Sequence, residues 1–307
     1  MVYVFSRPRN QQRLFRFISL LLIVVGLLVG FYEHDSYQSR QQLWLVEAMR
    51  TSLRKFRAPF HENVDRVPTL TPRQFYGYVV NSRPVIVTGS SCTLHPWTLA
   101  TIERMAGDDY IGVETTTGNN RFSPDTARTV NMTVRDFLAR FMAPGRDREY
   151  YLAEGPLRQM PSLYDDIREP DFSSSLEPQR DPQLWIGAGG QVSTMHFDDM
   201  ENVLCQIEGT RVVFLFDPLQ VGRLYPRAGP LRAHSQVDPA DPHASEKFPK
   251  FASAKQRNVT LRAGESLFIP SMWYHQIHGG PSMNIAVNFW YTSHLLSRLA
   301  MDNMIPP

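Results

Sequence analysis

From Leu184 onward the chain is a succession of short strand-like segments, and this constrains the fold more than any other feature. They are Leu184–Gly187, Ser193–Phe197, Val203–Ile207, Arg211–Phe216, Asn258–Leu261, Ser266–Ile269, Tyr274–His278 and Ile285–Tyr291. Each is rich in β-branched or aromatic residues and is bounded by turn formers; Glu208-Gly209-Thr210 and Ala263-Gly264-Glu265 read as tight turns. Seven or eight such strands bury their apolar faces by closing into a sandwich or a jelly-roll barrel. One stretch, Asp217–Gln256, interrupts the series with many prolines and charges. It reads as a long surface insertion, and insertions beside a site often carry substrate contacts.

The region before the strands mixes element types. Thr71 reads as an N-cap with Pro72 at the first helical position. Pro84–Thr88 reads as a short buried strand ended by Gly89, Trp97–Ala106 as a helix, Tyr110–Thr117 as a strand, Thr133–Phe141 as a helix and Tyr150–Ala153 as a strand. Residues 156–182 read as loop with a short helix or two. The expected order is a basic tail over 1–16, an apolar span over 17–32, a stalk over 33–66, one β domain over 67–291 and a tail over 292–307.

Phe17–Tyr32 carries no charged side chain, and four arginines (Arg7, Arg9, Arg13, Arg16) precede it, while Glu33 and Asp35 follow. An apolar, uncharged segment with this flanking asymmetry reads as an uncleaved transmembrane signal anchor, with the N-terminus cytosolic and the body across the membrane. A cleaved signal peptide is the competing reading, with a poor small-x-small site near Gly30 because Leu28 stands two positions before it. The body is then expected to be luminal, in the endoplasmic reticulum or Golgi. The formal net charge of +2 hides this division. Without the four leading arginines, 28 basic side chains stand against 30 acidic ones. A near-neutral body lacks the clustered basic face that nucleic acid requires. The two cysteines, Cys92 and Cys205, form no disulfide framework, although one bridge is compatible with a luminal body. Asn131-Met132-Thr133 and Asn258-Val259-Thr260 fit the N-glycosylation pattern.

The chemistry is carried by His196-Phe197-Asp198 and by His275 in the run Phe268–His275. Residues i and i+2 of a strand share a face, so His196 and Asp198 aim at one point while Phe197 points away. A second strand would supply His275. Two imidazoles and one carboxylate on one side of an ion leave its other side open, which is the facial triad of non-haem Fe(II) oxygenases. His278, three residues beyond His275, would face the other way, and Asp199 likewise. The remaining histidines, His234 among them, read as structural or solvated.

Several stretches together resemble the JmjC-type and cupin-like 2-oxoglutarate dioxygenases, in particular the subgroup of the hypoxia-inducible factor asparaginyl hydroxylase and the tRNA wybutosine hydroxylase. They are LWIG (184–187), STMHFD (193–198), NVLCQIEGTRVVFLF (202–216), LYP (224–226), SQVD (235–238), AGESLFIPSMWYH (263–275) and VNFWY (287–291), with RPVIVTG (83–89) upstream. The resemblance implies a mainly β double-stranded β-helix flanked by N-terminal helices. It implies Fe(II) held by His196, Asp198 and His275, with 2-oxoglutarate and O2 as co-substrates. It assigns the distal carboxylate of the keto acid to Ser193, to Tyr151 (with Tyr150 as its rival) and to Arg211, which stands where these relatives usually have Lys. Arg is planar and bidentate where Lys is a point charge, so that exchange is not neutral. Asn202 and Asn288 match polar family positions; they either line the pocket or hydrogen-bond within the barrel. Trp185, Phe197, Trp273 and Trp290 read as core or pocket wall.

The expected function is hydroxylation, with a protein side chain as the expected substrate. A tRNA substrate would need a cytosolic body. An inactive jelly-roll binding module is the rival of another class, and a zinc hydrolase lacks a recognisable general base. Oligomeric state is not legible.

Overall fold

The computed structural model describes residues 63–115, 121–123, 125, 127–142 and 150–294. The expected anchor at 17–32, and nearly all of the stalk, lie outside these residues. Among the described residues no helix is long and apolar enough to cross a membrane.

The described residues form fourteen strands: β1 (Asp65–Val67), β2 (Val85–Val87), β3 (Tyr110–Thr115), β4 (Arg121–Phe122), β5 (Arg128–Thr133), β6 (Tyr150–Pro156), β7 (Gln183–Gly187), β8 (Val192–His196), β9 (Glu201–Glu208), β10 (Thr210–Phe216), β11 (Gln256–Arg262), β12 (Glu265–Ile269), β13 (Tyr274–Gly279) and β14 (Asn284–Tyr291). The larger sheet runs β1-β2-β12-β9-β14-β7-β6-β3-β5, and the smaller β11-β10-β13-β8-β4. Strands β7 to β14 pass back and forth between the two sheets, with only β10 and β11 consecutive in one: β7, β9, β12 and β14 lie in the larger, β8, β10, β11 and β13 in the smaller. That is a jelly roll. All eight strands expected from the sequence are found, and only their ends differ.

Side-chain pattern explains which strands are central. β14 (NIAVNFWY) is buried at every position. A strand covered on both faces reads as a continuous apolar run. On its outer face Val287 and Phe289 join one buried cluster with Phe75, Ile102, Phe137 and Leu163 of the helices Pro72–Val80, Leu99–Ala106, Val134–Phe141 and Pro161–Asp166. β11 (QRNVTLR) instead alternates exposed and buried, as a half-covered edge strand should. Between the sheets lies a second cluster that includes Leu204, Val213, Leu215, Leu267 and Ala286. A third cluster, with Met195, Phe216, Leu224 and Tyr274, lies beneath the 217–256 insertion.

The expected cap at Thr71 is observed. Thr71 accepts from Gln74 N, and Gln74 Oε1 accepts from Thr71 N, closing a capping box. The Thr133 hydroxyl accepts from Asp136 N and caps the helix Val134–Phe141. β1, β4 and β5 were not legible: two are very short, and β5 is exposed at four of its six positions, with Met132 alone buried and no alternation to read. Cys92 and Cys205 form a disulfide, their Cα atoms 6.3 Å apart, joining the loop after β2 to the outer face of β9.

Candidate metal centre

His196 and His275 stand directly opposite each other on the antiparallel pair β8/β13. Cross-strand partners share a face, and their ring centroids are 4.4 Å apart. Each ring is turned by its own backbone. His196 Nδ1 lies 2.7 Å from the Thr194 carbonyl and His275 Nδ1 lies 2.9 Å from the Trp273 carbonyl. A carbonyl only accepts, so both Nδ1 atoms carry the proton and both Nε2 lone pairs are left for an ion. The two Nε2 atoms face Asp198: His196 Nε2 is 3.9 Å from Oδ1 and His275 Nε2 is 3.4 Å from Oδ2. One ligand atom from each of the three lies within 4.8 Å of the others. No other such cluster of His, Cys, Asp or Glu occurs among the described residues.

The turn before β13 is held to this centre. Met272 adopts a left-handed backbone (φ 66°), and its N–H donates to the Asp198 carbonyl. The Ser271 N–H donates to the buried carboxylate of Glu201. Sequence reading did not single out Glu201, although its place at the start of β9, three residues after Asp198, was the available signal.

The residues fit a divalent cation. Asp198 Oδ2 is buried without a hydrogen-bond partner, and burial pushes this carboxyl above the usual carboxylate range, with His196, Arg180 and His234 only partly offsetting it. Burial lowers His275 to about 3, so it is neutral, as a ligand must be. A hard-to-borderline ion facing two neutral nitrogens and one carboxylate would satisfy the orphan oxygen and keep open positions on its far side.

The second half of the site lies deeper between the sheets. On β10, Leu215 pairs with His275 while Arg211 pairs with Gly279, four residues along. At the rise of a strand this is about 13 Å of backbone, a span that the arginine side chain and a short dicarboxylate can fill. Arg211 shares its face with Val213 and Leu215 of the inner cluster and is itself buried. The buried Tyr151 hydroxyl has Ser193 and Arg211 as hydrogen-bonding neighbours. Tyr150, the rival, packs against the outer core instead. Ser193 reaches the interior because β8 is irregular. From His275 to Ile277 on β13 the partners move from His196 to Ser193, so β8 carries one extra residue. Without that bulge, residues three apart would face opposite sides.

The interior retains unused hydrogen-bonding capacity. Arg211 Nε, Trp185 Nε1, Trp290 Nε1 and Asn288 Oδ1 are enclosed without partners. Asn288 Nδ2 donates to Asn202 Oδ1 at 2.6 Å, so this pair bonds within the barrel and leaves one acceptor free. Buried groups of this kind are rarely left unpaired, and a cluster of them marks where a polar ligand sits. His278 hydrogen-bonds Gln276 and packs on Phe214, away from the triad; Asp199 is exposed.

His234 was read as structural or solvated. The insertion brings it alongside β8, where its ring stacks on His196 at 5.4 Å and 26°. Its burial and the neighbouring His196 hold it at about 4. Arg180, whose charge acts on Asp198, lies with its guanidinium 5.6 Å from the Trp290 ring centroid and is paired with Glu154 at 3.1 Å.

Residues 72–296 match the model of a family described as a cupin-like domain. Among curated proteins the chain is similar to a lysine-specific demethylase 8 of Xenopus tropicalis, 31% identical over 224 residues, covering 70% of this chain and 49% of that protein. The enzyme of the same name from Danio rerio is 30% identical over 221 residues, covering 68% of this chain and 53% of that one. A human bifunctional peptidase and (3S)-lysyl hydroxylase is 27% identical over 291 residues, covering 80% of this chain and 91% of the relative. The chain thus spans about half the length of the two demethylases.

Proposed function

The chain belongs to the cupin-like domain family, and on that premise we propose that it is an Fe(II)- and 2-oxoglutarate-dependent oxygenase that hydroxylates a protein side chain. JmjC members of this family use Fe(II), 2-oxoglutarate and O2. The observation that carries the reading is the convergence of His196 Nε2, Asp198 and His275 Nε2 within 4.8 Å, with an Asp198 oxygen that nothing in the protein satisfies. When bound, the iron would supply the oxidation of 2-oxoglutarate to succinate and CO2, together with transfer of one oxygen atom of O2 to a substrate C–H bond.

The protein's own residues do the rest. Backbone carbonyls of Thr194 and Trp273 hold the two imidazoles in one tautomer, so that the centre is preorganised before the metal arrives. Arg211, Tyr151 and Ser193 present a cation and two hydroxyls for the distal carboxylate of the co-substrate. A guanidinium can take that carboxylate bidentately in a site closed to water. Asn202, Asn288, Trp185 and Trp290 wall the space between. The protein-substrate reading is supported by the names of the relatives, which act on lysine or lysyl residues.

The test is an anaerobic titration of the full chain with Fe(II) and then 2-oxoglutarate, followed by its metal-to-ligand charge-transfer band. A saturable band lost in His196→Ala is the expected result. Iron retained without any band at saturating 2-oxoglutarate would sink the proposal.

A further inference from the structure

Asn131 and Asn258, the two asparagines of the glycosylation pattern, occupy matching places in the fold. Asn131 lies on β5 and Asn258 on β11, the terminal strands of the larger and the smaller sheet. The central residues of the two patterns, Met132 and Val259, face the core at 5% and 9% exposure. The period of a strand then turns each Asn outward, and both are exposed. On β11, which alternates exposed and buried along its length, the opposite phase would bury the amide.

The surroundings leave room for a sugar. Opposite Asn131 stands Gly112, which has no side chain. Diagonally across is Tyr110, on the same face through its pairing with Thr133. Tyr110 is 71% exposed, the highest value for a large hydrophobic residue among those described. These residues border an open groove of ≈ 580 Å³. A diagonal neighbour is within reach of an aromatic side chain, and the apolar face of a first sugar would cover this otherwise unexplained ring. Asn258 stands opposite Phe214, and its Oδ1 accepts from Gln256 Nε2 at 2.8 Å, which leaves Nδ2 available. The Cys92–Cys205 disulfide is an independent observation pointing to the same environment, because such bridges persist in oxidising compartments.

We propose that this domain matures in the secretory pathway, carries N-linked glycans on Asn131 and Asn258, and closes Cys92–Cys205 there. In the transfer, Nδ2 bonds to C1 of the first sugar of a lipid diphosphate-linked oligosaccharide. The bond from C1 to the diphosphate oxygen breaks, and the amide proton is lost as the lipid diphosphate leaves. A glycan on each terminal strand also blocks edge-to-edge pairing of the two sheets. The inference does not depend on the oxygenase reading, since none of its readouts requires activity.

The full chain would be expressed in a eukaryotic cell, its thiols alkylated before denaturation, and its electrophoretic mobility compared with and without an endoglycosidase. The wild type should shift by two glycan steps, Asn131→Gln and Asn258→Gln by one each, and the double variant by none. Unreduced digests should contain the Cys92 and Cys205 peptides joined. Transfer acts on the nascent chain, so a poorly folding variant still reports. An unshifted wild type, or alkylated thiols at both cysteines, overturns the proposal. Tyr110→Ala should lower the melting temperature of the glycosylated protein more than that of the enzymatically deglycosylated one; equal losses overturn the stacking of the sugar on Tyr110.

Discussion

The two ends of the candidate site are built differently. At the metal end, the ligands are oriented by main-chain carbonyls one turn of strand away, and His196 and His275 face each other in register. At the deep end, Arg211, Ser193 and Tyr151 come from three strands, and they are aligned by one another and by a bulge. The backbone fixes the first constellation, so it tolerates changes around it but not within it. The second is a set of side chains, each of which can be lost singly at graded cost. Substitutions at the two ends should therefore differ in kind as well as in size.

The largest effect is expected at the metal end. Asp198→Ala removes the only anionic ligand and leaves two imidazoles. Iron retention and turnover should both fall below detection, as read by metal content after gel filtration and by succinate release. If Asp198→Ala kept tightly bound iron, the distinction between an all-or-none end and a graded end would collapse.

At the deep end, Arg211→Ala should leave iron bound but weaken 2-oxoglutarate by about 30-fold or more, the loss expected when one member of a buried charged pair is truncated by ~2 kcal/mol or more. Arg211→Lys keeps the charge and loses the planar fork, so a smaller loss, about tenfold, is expected. Titration of the charge-transfer band separates the two quantities. Equal loss of iron and co-substrate in Arg211→Ala would show the two ends to be one unit.

The same contrast explains what was legible in the sequence. The spacing of His196 and Asp198 and the strand order were readable because strand period and turn chemistry act locally. Tyr151 and Arg211 are some sixty residues apart and meet only once the jelly roll closes; no local period announces that, and only resemblance to relatives paired them. Ser193 is the sharper case, since a regular strand would have pointed it away from His196, and the bulge that corrects this has no sequence mark. His234 stacks on His196 from within an insertion that has no regular pattern to read. β5 and its exposed Asn131 were missed as a strand because nothing on that edge is buried in alternation.

Glu114 tests the deep end from outside. It pairs across β3/β6 with Tyr151, and burial together with the nearby Glu154 raises it from 4.5 to about 7. For a carboxyl raised on folding, the native state holds the proton longer. Its contribution to stability is full below about pH 4.5 and is lost as pH rises through about 7. Glu114→Gln should therefore flatten the fall in stability between pH 5 and pH 8, by about 1–3 kcal/mol, in denaturant melts of the iron-free protein. The same slope in wild type and variant would place the titration elsewhere.

The smallest effect, and the one most specific to the architecture, is expected at Ser193. Its hydroxyl meets Tyr151 only because β8 carries an extra residue before His196. Ser193→Ala removes one neutral hydrogen bond, about 1 kcal/mol, and should weaken 2-oxoglutarate roughly fivefold with iron affinity unchanged. Ser193→Thr keeps the hydroxyl and should restore most of the affinity. The two substitutions separate the hydroxyl from the bulge. If the hydroxyl is what the bulge delivers, Thr rescues and Ala does not. If the bulge instead serves only to set the His196 ring through the Thr194 carbonyl, neither variant moves the co-substrate titration, and the deep end would then rest on Arg211 and Tyr151 alone.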